Sequence, residues 1–343
     1  MGTISVVGGG IAGLALAATL DPERWSVTLH EQAPDRPPAG AGLAMWPDVM
    51  AALDSIGVGD AVRANARLID RFELADGARR TLHVIENRSA HLVTRPHLLK
   101  ALDAAVPASV VRSTGRVESP DTLAGDLVVG ADGVHSVVRR TMLDGGPARK
   151  VGVVALRGLS PVATDGMVEL WQDGALCGLS PTASGESNWY LAHRATGEFA
   201  NISAWGDATA HRVAVALAAR FGAEAEALIG ATPPAAILRQ DLWVAPTRWR
   251  LSSGRAVLIG DAAHAMAPNL GRGACESILD AVALGQALST MDVPRALRHY
   301  QRTRAARTQG LRAASSLAMR VSMLERGAGL RDRLVRLPGV RHR

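Results

Sequence analysis

The chain has 343 residues, 48% of them hydrophobic, enough for a sizeable core in one large α/β domain or two domains, and global disorder is excluded. The net charge of +6 comes almost wholly from arginine, since Lys100 and Lys150 are the only lysines, and the few aromatics (3%) form no spaced array for stacking bases, so nucleic-acid binding is a poor reading. Two cysteines, Cys177 and Cys275, lie 98 positions apart with no CxxC pair, which argues against a metal ribbon, a disulfide framework or a redox dithiol.

Thr3-Ile4-Ser5-Val6-Val7 runs into Gly8-Gly9-Gly10-Ile11-Ala12-Gly13 and then an apolar helical pattern, which reads as strand, tight turn and helix. Gly8 permits the turn, Gly10 lets the backbone approach a pyrophosphate, and Gly13 lets helix and sheet pack closely. A second strand, Ser26 to Glu31, ends in an acid 18 residues beyond Gly13, placed for a ribose hydroxyl. The apolar N-terminus is broken by glycines and lacks a basic lead-in, so neither a signal peptide nor a membrane span is expected and the location is expected to be cytoplasmic. Pro34 to Gly42 reads as a loop, Pro47 to Ile56 as a helix, Arg67 to Glu86 as a hairpin turning at Asp76-Gly77, and Pro96 to Ala105 as a helix. Asp126 to Gly130 is a short buried strand, and Val151 to Ala204 alternates as an antiparallel sheet. Asp207 to Ile229 is helical, Ala256 to Ile259 is again a buried strand, and Ala274 to about Arg326 is mostly helix. The arginine-rich end, 327–343, reads as a solvated tail.

Three further stretches carry chemistry: Asp126 to Arg139 with Asp132-Gly133 and Ser136; Gly254 to Pro268 with Gly260-Asp261 and His264; and Asn269-Leu270-Gly271-Arg272-Gly273-Ala274 opening a helix. With these in order, the chain resembles the flavoprotein monooxygenases of the para-hydroxybenzoate hydroxylase type, called group A, from residue 1 to about 325. The resemblance implies an α/β fold with a Rossmann-like FAD-binding domain of the GR2 type, an inserted, mostly antiparallel substrate sheet, and C-terminal helices. The FAD domain is expected over 1–66, 94–150 and 250–326 and the sheet domain over 67–93 and 151–249. NADH or NADPH would reduce non-covalent FAD, and dioxygen would add to it as a hydroperoxide that hydroxylates or epoxidises a small aromatic or polyketide-like substrate.

For FAD, the resemblance implies Gly8, Gly10, Ala12, Gly13, Glu31 and Gln32 at the first motif and Gly42, Arg95 and Val117 beyond it. It adds Asp132 and Gly133, then Gly260 and Asp261, and Pro268, Gly271, Gly273 and Ala274 along the loop against the flavin. Asp261 could instead cap its helix, and Asp132 could fix its turn. Relatives commonly read Gly-Gln-Gly in the loop, then Gln and Glu-Asp on the helix, where this chain has Arg272, Glu276 and Leu279-Asp280. Arg272 and Glu276 could form an exposed helix pair worth roughly 0.3–0.5 kcal/mol; alternatively Arg272, with Gly271 and Pro268, lies at the flavin and stabilises negative charge. Cys275 reads as a buried small residue, His264 as helix structure, and His193 could face either side of the sheet. No general base and no metal site is identified. An oxidase or reductase without oxygen insertion, or a non-catalytic flavin-binding protein, remains an alternative.

Overall fold

The computed structural model describes residues 1–34 and 42–336; residues 35–41 of the expected loop and 337–343 of the tail lie outside it. The opening strand is β1 (Gly2–Val7), followed by α1 (Ile11–Thr19) and β2 (Trp25–Glu31). Then come β3 (Gly42–Met45), α2 (Pro47–Ser55), α3 (Gly59–Ala64), the hairpin β4 (Ala66–Asp76) and β5 (Thr81–Thr94), α4 (Arg95–Ala104), β6 (Val111–Thr114), β7 (Leu127–Gly130) and α5 (Val137–Met142). The middle of the chain supplies β8 (Arg149–Ser160), β9 (Met167–Gln172), β10 (Ala175–Pro181), β11 (Ser187–Arg194), α6 (Asp207–Ala219), α7 (Ala223–Gly230) and β12 (Leu238–Val244). The last part holds β13 (Ser252–Ser253), β14 (Ala256–Leu258), α8 (Asp261–His264), α9 (Gly273–Thr290), α10 (Val293–Ser322) and α11 (Ala328–Val335).

These strands make two sheets. One has six strands in the order β13-β14-β7-β1-β2-β6, parallel except for β13, and β1 sits at its centre because Ile4, Val6 and Val7 are buried on both faces. Helices α1 and α9 cover it and approach so closely that a Cβ on Gly285 would stand 2.4 Å from Thr19 Cγ2. The other sheet has eight strands in the order β12-β8-β11-β10-β9-β4-β5-β3, antiparallel but for the β4–β9 pair.

Alternation assigns the two faces of the eight-stranded sheet. Val154, Leu156, Cys177, Leu179, Trp189 and Leu191 pack under α6 and α7, whereas Val153, Ala155, Leu176, Ala192, Trp171 and Tyr190 pack toward Ala267, Met319 and Met323. The second, inner face therefore looks at α10 and at the residue preceding Pro268. The sheet also curls back on itself: the Gly42 amide of the edge strand β3 donates to Asn188 Oδ1 on β11 at 2.7 Å, although four strands separate them in the order.

Three expectations change. The helical stretch Asp207–Ile229 is two helices, broken at Gly222 with φ +105°. The C-terminal stretch is not simply a solvated tail: α11 folds back, and Arg331, 4% exposed, lies 5.3 Å above the Trp171 ring and donates to the Ser322 carbonyl at 3.0 Å. The short strands β3 and β6 and helix α3 have no signal in the periodicity. Among the described residues no helix is long and apolar enough to cross a membrane, and no cluster of three or more His, Cys, Asp or Glu side chains could hold a metal ion.

Candidate active site

The first motif divides its glycines by what surrounds them. A Cβ on Gly13 would stand 1.9 Å from the Gly8 carbonyl oxygen, and one on Gly8, whose φ is +109°, 2.4 Å from the Ala131 carbonyl oxygen. Both are locked into the fold. A Cβ on Gly10 would meet nothing within 4 Å, and α1 begins there with no side-chain cap on its amides, so a bare helix N-terminus borders open space. Glu31 stands beside it, accepting from the Gly9 amide at 2.7 Å and the Ala33 amide at 2.8 Å, with Gln32 exposed next to it. Val117 and His30 line a surface recess of about 440 Å³, and the buried His30 Nε2 has no partner among the described residues.

The second and third motifs meet the first. Ala12 is buried within 3.0 Å of where a Gly260 Cβ would lie, at φ +58°. Arg139, fully buried, donates to the Ala262 carbonyl at 2.7 Å and the Val134 carbonyl at 2.7 Å, fastening the two motifs together. Asp132 Oδ2 accepts from the Val137 and Val138 amides at 2.6 and 3.2 Å, so this carboxylate does fix its turn. Its Oδ1 is buried without a partner, and burial raises the carboxyl pKa. Asp261 does not cap α8: it is exposed and its carboxylate bonds to nothing among the described residues. Gly133, Gly271 and Gly273, like Gly10, border open space, while Pro268 is exposed and Ala274 sits in the first turn of α9. Arg95 opens α4 as an exposed residue.

Arg272 is paired with Glu276 at 2.6 Å, but the pair is not the exposed one that its spacing suggested. Glu276 is wholly buried and Arg272 is 14% exposed, with its guanidinium also gripping both oxygens of Asp48 at 3.0 and 2.7 Å. From Glu276 the network runs to Arg304 at 2.5 Å, to Asp280 at 2.7 Å and to His264 at 2.6 Å, and Arg307 joins it at Asp48. Burial acts against the charged forms of Glu276 and Asp280, but the surrounding cations outweigh it and hold both carboxyls below their ordinary range. His264 is opposed by burial in the same way, and Asp280 nevertheless raises its pKa. Asp280 also accepts from the Gly260 amide at 3.0 Å, so the network ties the loop at Gly271 to the Gly260-Asp261 turn. Cys275 is buried, its thiol pushed up to about 12 by desolvation, and donates to the Ala44 carbonyl at 3.1 Å.

A family model described as an FAD binding domain matches residues 98–315. The chain is 31% identical to the aurachin C monooxygenase/isomerase of Stigmatella aurantiaca, over 98% of this chain and 94% of that protein. The chain belongs to the group A FAD-dependent monooxygenases. It is also 32% identical to the 3-amino-4-hydroxybenzoate 2-monooxygenase of Streptomyces cremeus, covering 89% of this chain and 84% of that one. A variant of HpxO from Klebsiella pneumoniae, complexed with FAD, has the same fold, with a TM-score of 0.84 at 23% identity over 98% of this chain and 94% of its own.

The glycines and acids of this flavin monooxygenase were readable in its sequence, but the inner face of its sheet was not. Arg157, Glu169, Asn188 and Tyr190 project there, and so does Trp171, whose indole N–H donates to Glu169 Oε1 at 2.6 Å. Tyr190 donates its hydroxyl to Glu169 Oε2. One signal was available: Arg157 is the only charge between Val151 and Ser160, in an otherwise apolar strand. His193 faces away, stacked on Phe199 at 4.0 Å under α6, and is no candidate for substrate contact.

Proposed function

We propose that this chain is an NAD(P)H-dependent, dioxygen-using monooxygenase that hydroxylates or epoxidises a small aromatic substrate held between the flavin-side loop and the inner face of the eight-stranded sheet. The observation that carries this reading is the inner face itself, where Trp171, Tyr190, Asn188 and Arg157 share a curled sheet surface with apolar neighbours and look toward Ala267, at the head of the loop Pro268–Gly273. We take 1–66, 94–150 and 250–326 as the FAD-binding part and 67–93 with 151–249 as the substrate part.

FAD, when bound and reduced, supplies the two electrons with which dioxygen is activated. Gly10 and the open N-terminus of α1 would receive the pyrophosphate, Glu31 a ribose hydroxyl, and Val117 with His30 the adenine end. Asp261, whose carboxylate has no partner among the described residues, would accept from the ribityl hydroxyls, and Arg95 would reach the cofactor from α4. Gly271, Gly273 and Pro268, backed by the positive end of α9, would lie against the ring. Arg272, its guanidinium committed to Asp48 and Glu276, would act on that loop as a positioning residue rather than as a bare charge at the ring. The relatives' names, an aminohydroxybenzoate monooxygenase among them, support an aromatic substrate.

The test is to load the purified chain with FAD, follow NADH and NADPH oxidation against a panel of hydroxylated aromatics, and analyse the products after turnover in isotopically labelled dioxygen. Label in the product of a substrate that stimulates nicotinamide oxidation supports the reading. Turnover that yields only hydrogen peroxide or an unlabelled product with every stimulating compound would place the chain among oxidases or reductases instead.

A further inference from the structure

We propose that the corner formed by the end of α10 and by α11 is a membrane-surface contact, which seats on a lipid bilayer carrying anionic headgroups. The inference is independent of which substrate the chain oxidises.

Most large hydrophobic side chains among the described residues are buried, and four of the nine that stand exposed gather at this corner: Leu317, Leu324, Leu330 and Leu334. Single exposed leucines are ordinary on a protein surface, but a cluster of them on two consecutive elements is not. In α11 the usual polarity of a surface helix is reversed. Its inward side holds Arg331, which lies over Trp171, donates to the Ser322 carbonyl at 3.0 Å and pairs with Asp332 at 2.7 Å. Its outward side holds Leu330 and Leu334, one turn apart and 63% and 59% exposed, with Arg333 beside them. The contacts of Arg331 fix the rotation of the helix, because turning the leucines inward would carry the buried guanidinium off Trp171 and off the Ser322 carbonyl.

The charges around these leucines name the partner. Arg320 stands between Leu317 and Leu324, and Arg326, Arg333 and Arg336 follow, all of them exposed. Arg336 reaches Asp76 at 3.4 Å, whereas Arg320, Arg326 and Arg333 have no hydrogen-bond or ion-pair partner among the described residues. The acids of the segment are already taken: Glu325 pairs with Arg194 at 3.3 Å and Asp332 with Arg331. Two copies of this corner would set arginine against arginine with no free acid to answer, which disfavours a symmetric dimer. A polyanion such as nucleic acid would pair the arginines and leave the leucines in water. An anionic bilayer satisfies both, the leucines entering the boundary between headgroups and acyl chains while the arginines meet the phosphates. Four leucines and an eight-residue helix make a reversible contact rather than an anchor.

The experiment floats the full chain, with FAD in the buffer, on vesicles of phosphatidylcholine alone or of phosphatidylcholine with about one-third phosphatidylglycerol. The wild type should partition at least about tenfold more strongly onto the anionic vesicles, and a roughly tenfold rise in salt should remove most of that preference. Leu330→Gln combined with Leu334→Gln should weaken binding at least about tenfold with the charge unchanged. Arg326→Gln combined with Arg333→Gln should weaken it roughly 10- to 30-fold on the anionic vesicles only. Both double variants alter exposed side chains and should keep the wild-type melting temperature. In the wild type itself, anionic vesicles should slow tryptic cleavage after Arg326 and Arg333 while phosphatidylcholine vesicles leave it unchanged, a readout that needs no variant to fold. Failure of the wild type to bind the anionic vesicles, equal binding to both compositions, binding that either double variant retains in full, or cleavage that anionic vesicles do not slow overturns the inference. So does a dimer in sedimentation velocity that the leucine variant converts to monomer, which assigns the face to a second copy of the chain.

Discussion

Glu276→Gln discriminates between a surface pair and a buried network. The native carboxylate is 0% exposed and holds Arg304 at 2.5 Å and Arg272 at 2.6 Å, within a set in which Arg272, Arg304 and Arg307 balance Asp48, Glu276 and Asp280. Glutamine conserves the volume but removes one of those three negative charges, leaving Arg304 with Asp280 and Arg272 with Asp48. Removing one partner of a buried pair costs 3–5 kcal/mol, and the bonds that glutamine and the remaining carboxylates retain bring the expected loss to about 3 kcal/mol. At roughly 2.1 cal/mol/K per residue, the unfolding entropy of this chain is about 0.7 kcal/mol/K, so the melting temperature should fall by about 4 °C. An exposed pair four residues apart, worth ~0.4 kcal/mol, would move it by less than about 1 °C. The assay is scanning calorimetry of FAD-loaded protein at one fixed excess of FAD, because ligand occupancy itself shifts the transition. Arg272→Gln combined with Glu276→Gln should cost less than the two single losses added. A fall under about 1 °C for Glu276→Gln, or strict additivity in the double variant, would refute the network as described.

The remaining predictions concern the cradle, the histidine and the last helix. Gly10→Ala meets no protein atom and should fold with an unchanged apoprotein melting temperature while its FAD dissociation constant rises at least about tenfold, the equivalent of 1.4 kcal/mol; fluorescence titration with FAD checks this. Gly13→Ala, whose Cβ would lie 1.9 Å from a carbonyl oxygen, should instead fail to accumulate as folded protein, as read by soluble yield and circular dichroism. His264 has a raised pKa in the fold, so its pairing with Asp280 stabilises fully below the unfolded value near 6.5 and loses that contribution as pH rises through the folded value. The gap in melting temperature between wild type and His264→Gln should accordingly narrow from pH 6 toward pH 9, and a gap that widens would contradict the assignment. Arg331→Ala removes the cation over Trp171 and the bond to the Ser322 carbonyl, and should cost about 1–3 kcal/mol with increased protease cleavage after Ser322.

Local chemistry with a short reach was legible in the sequence. The glycines of the first motif, the acids at Glu31 and Asp261, and the buried strands 127–130 and 256–258 declare themselves because a turn, a helix start or an unbroken apolar run needs those residue types wherever the chain goes next. Contacts between distant segments were not legible. Arg272 meets Glu276 four residues away, which its spacing suggests, but also Asp48, 224 residues away, and no periodicity links those positions. The inner face escaped for a related reason. Trp189 and Tyr190 are adjacent and both aromatic, and only the packing of α6 and α7 on one side decides which of them points inward. Arg331 belongs to the same class: a basic stretch reads as solvated until Trp171, 160 residues earlier, is found beneath it.

The order of the six-stranded sheet has a consequence for how the protein is made. Its central strand, β1, leaves the ribosome first, yet the strand two places away, β14, follows only after the whole eight-stranded sheet has been synthesised. Until residue 258 emerges, β7 presents one unpaired edge and the Gly8–Gly13 turn lacks the Gly260 backbone that closes against Ala12. The middle of the chain can bury its own apolar face beneath α6 and α7 well before then. Nascent chains stalled at successive lengths should therefore acquire protease resistance in the eight-stranded sheet before any of them retains a flavin nucleotide, and the half-built nucleotide sheet is the species that a chaperone would have to shield.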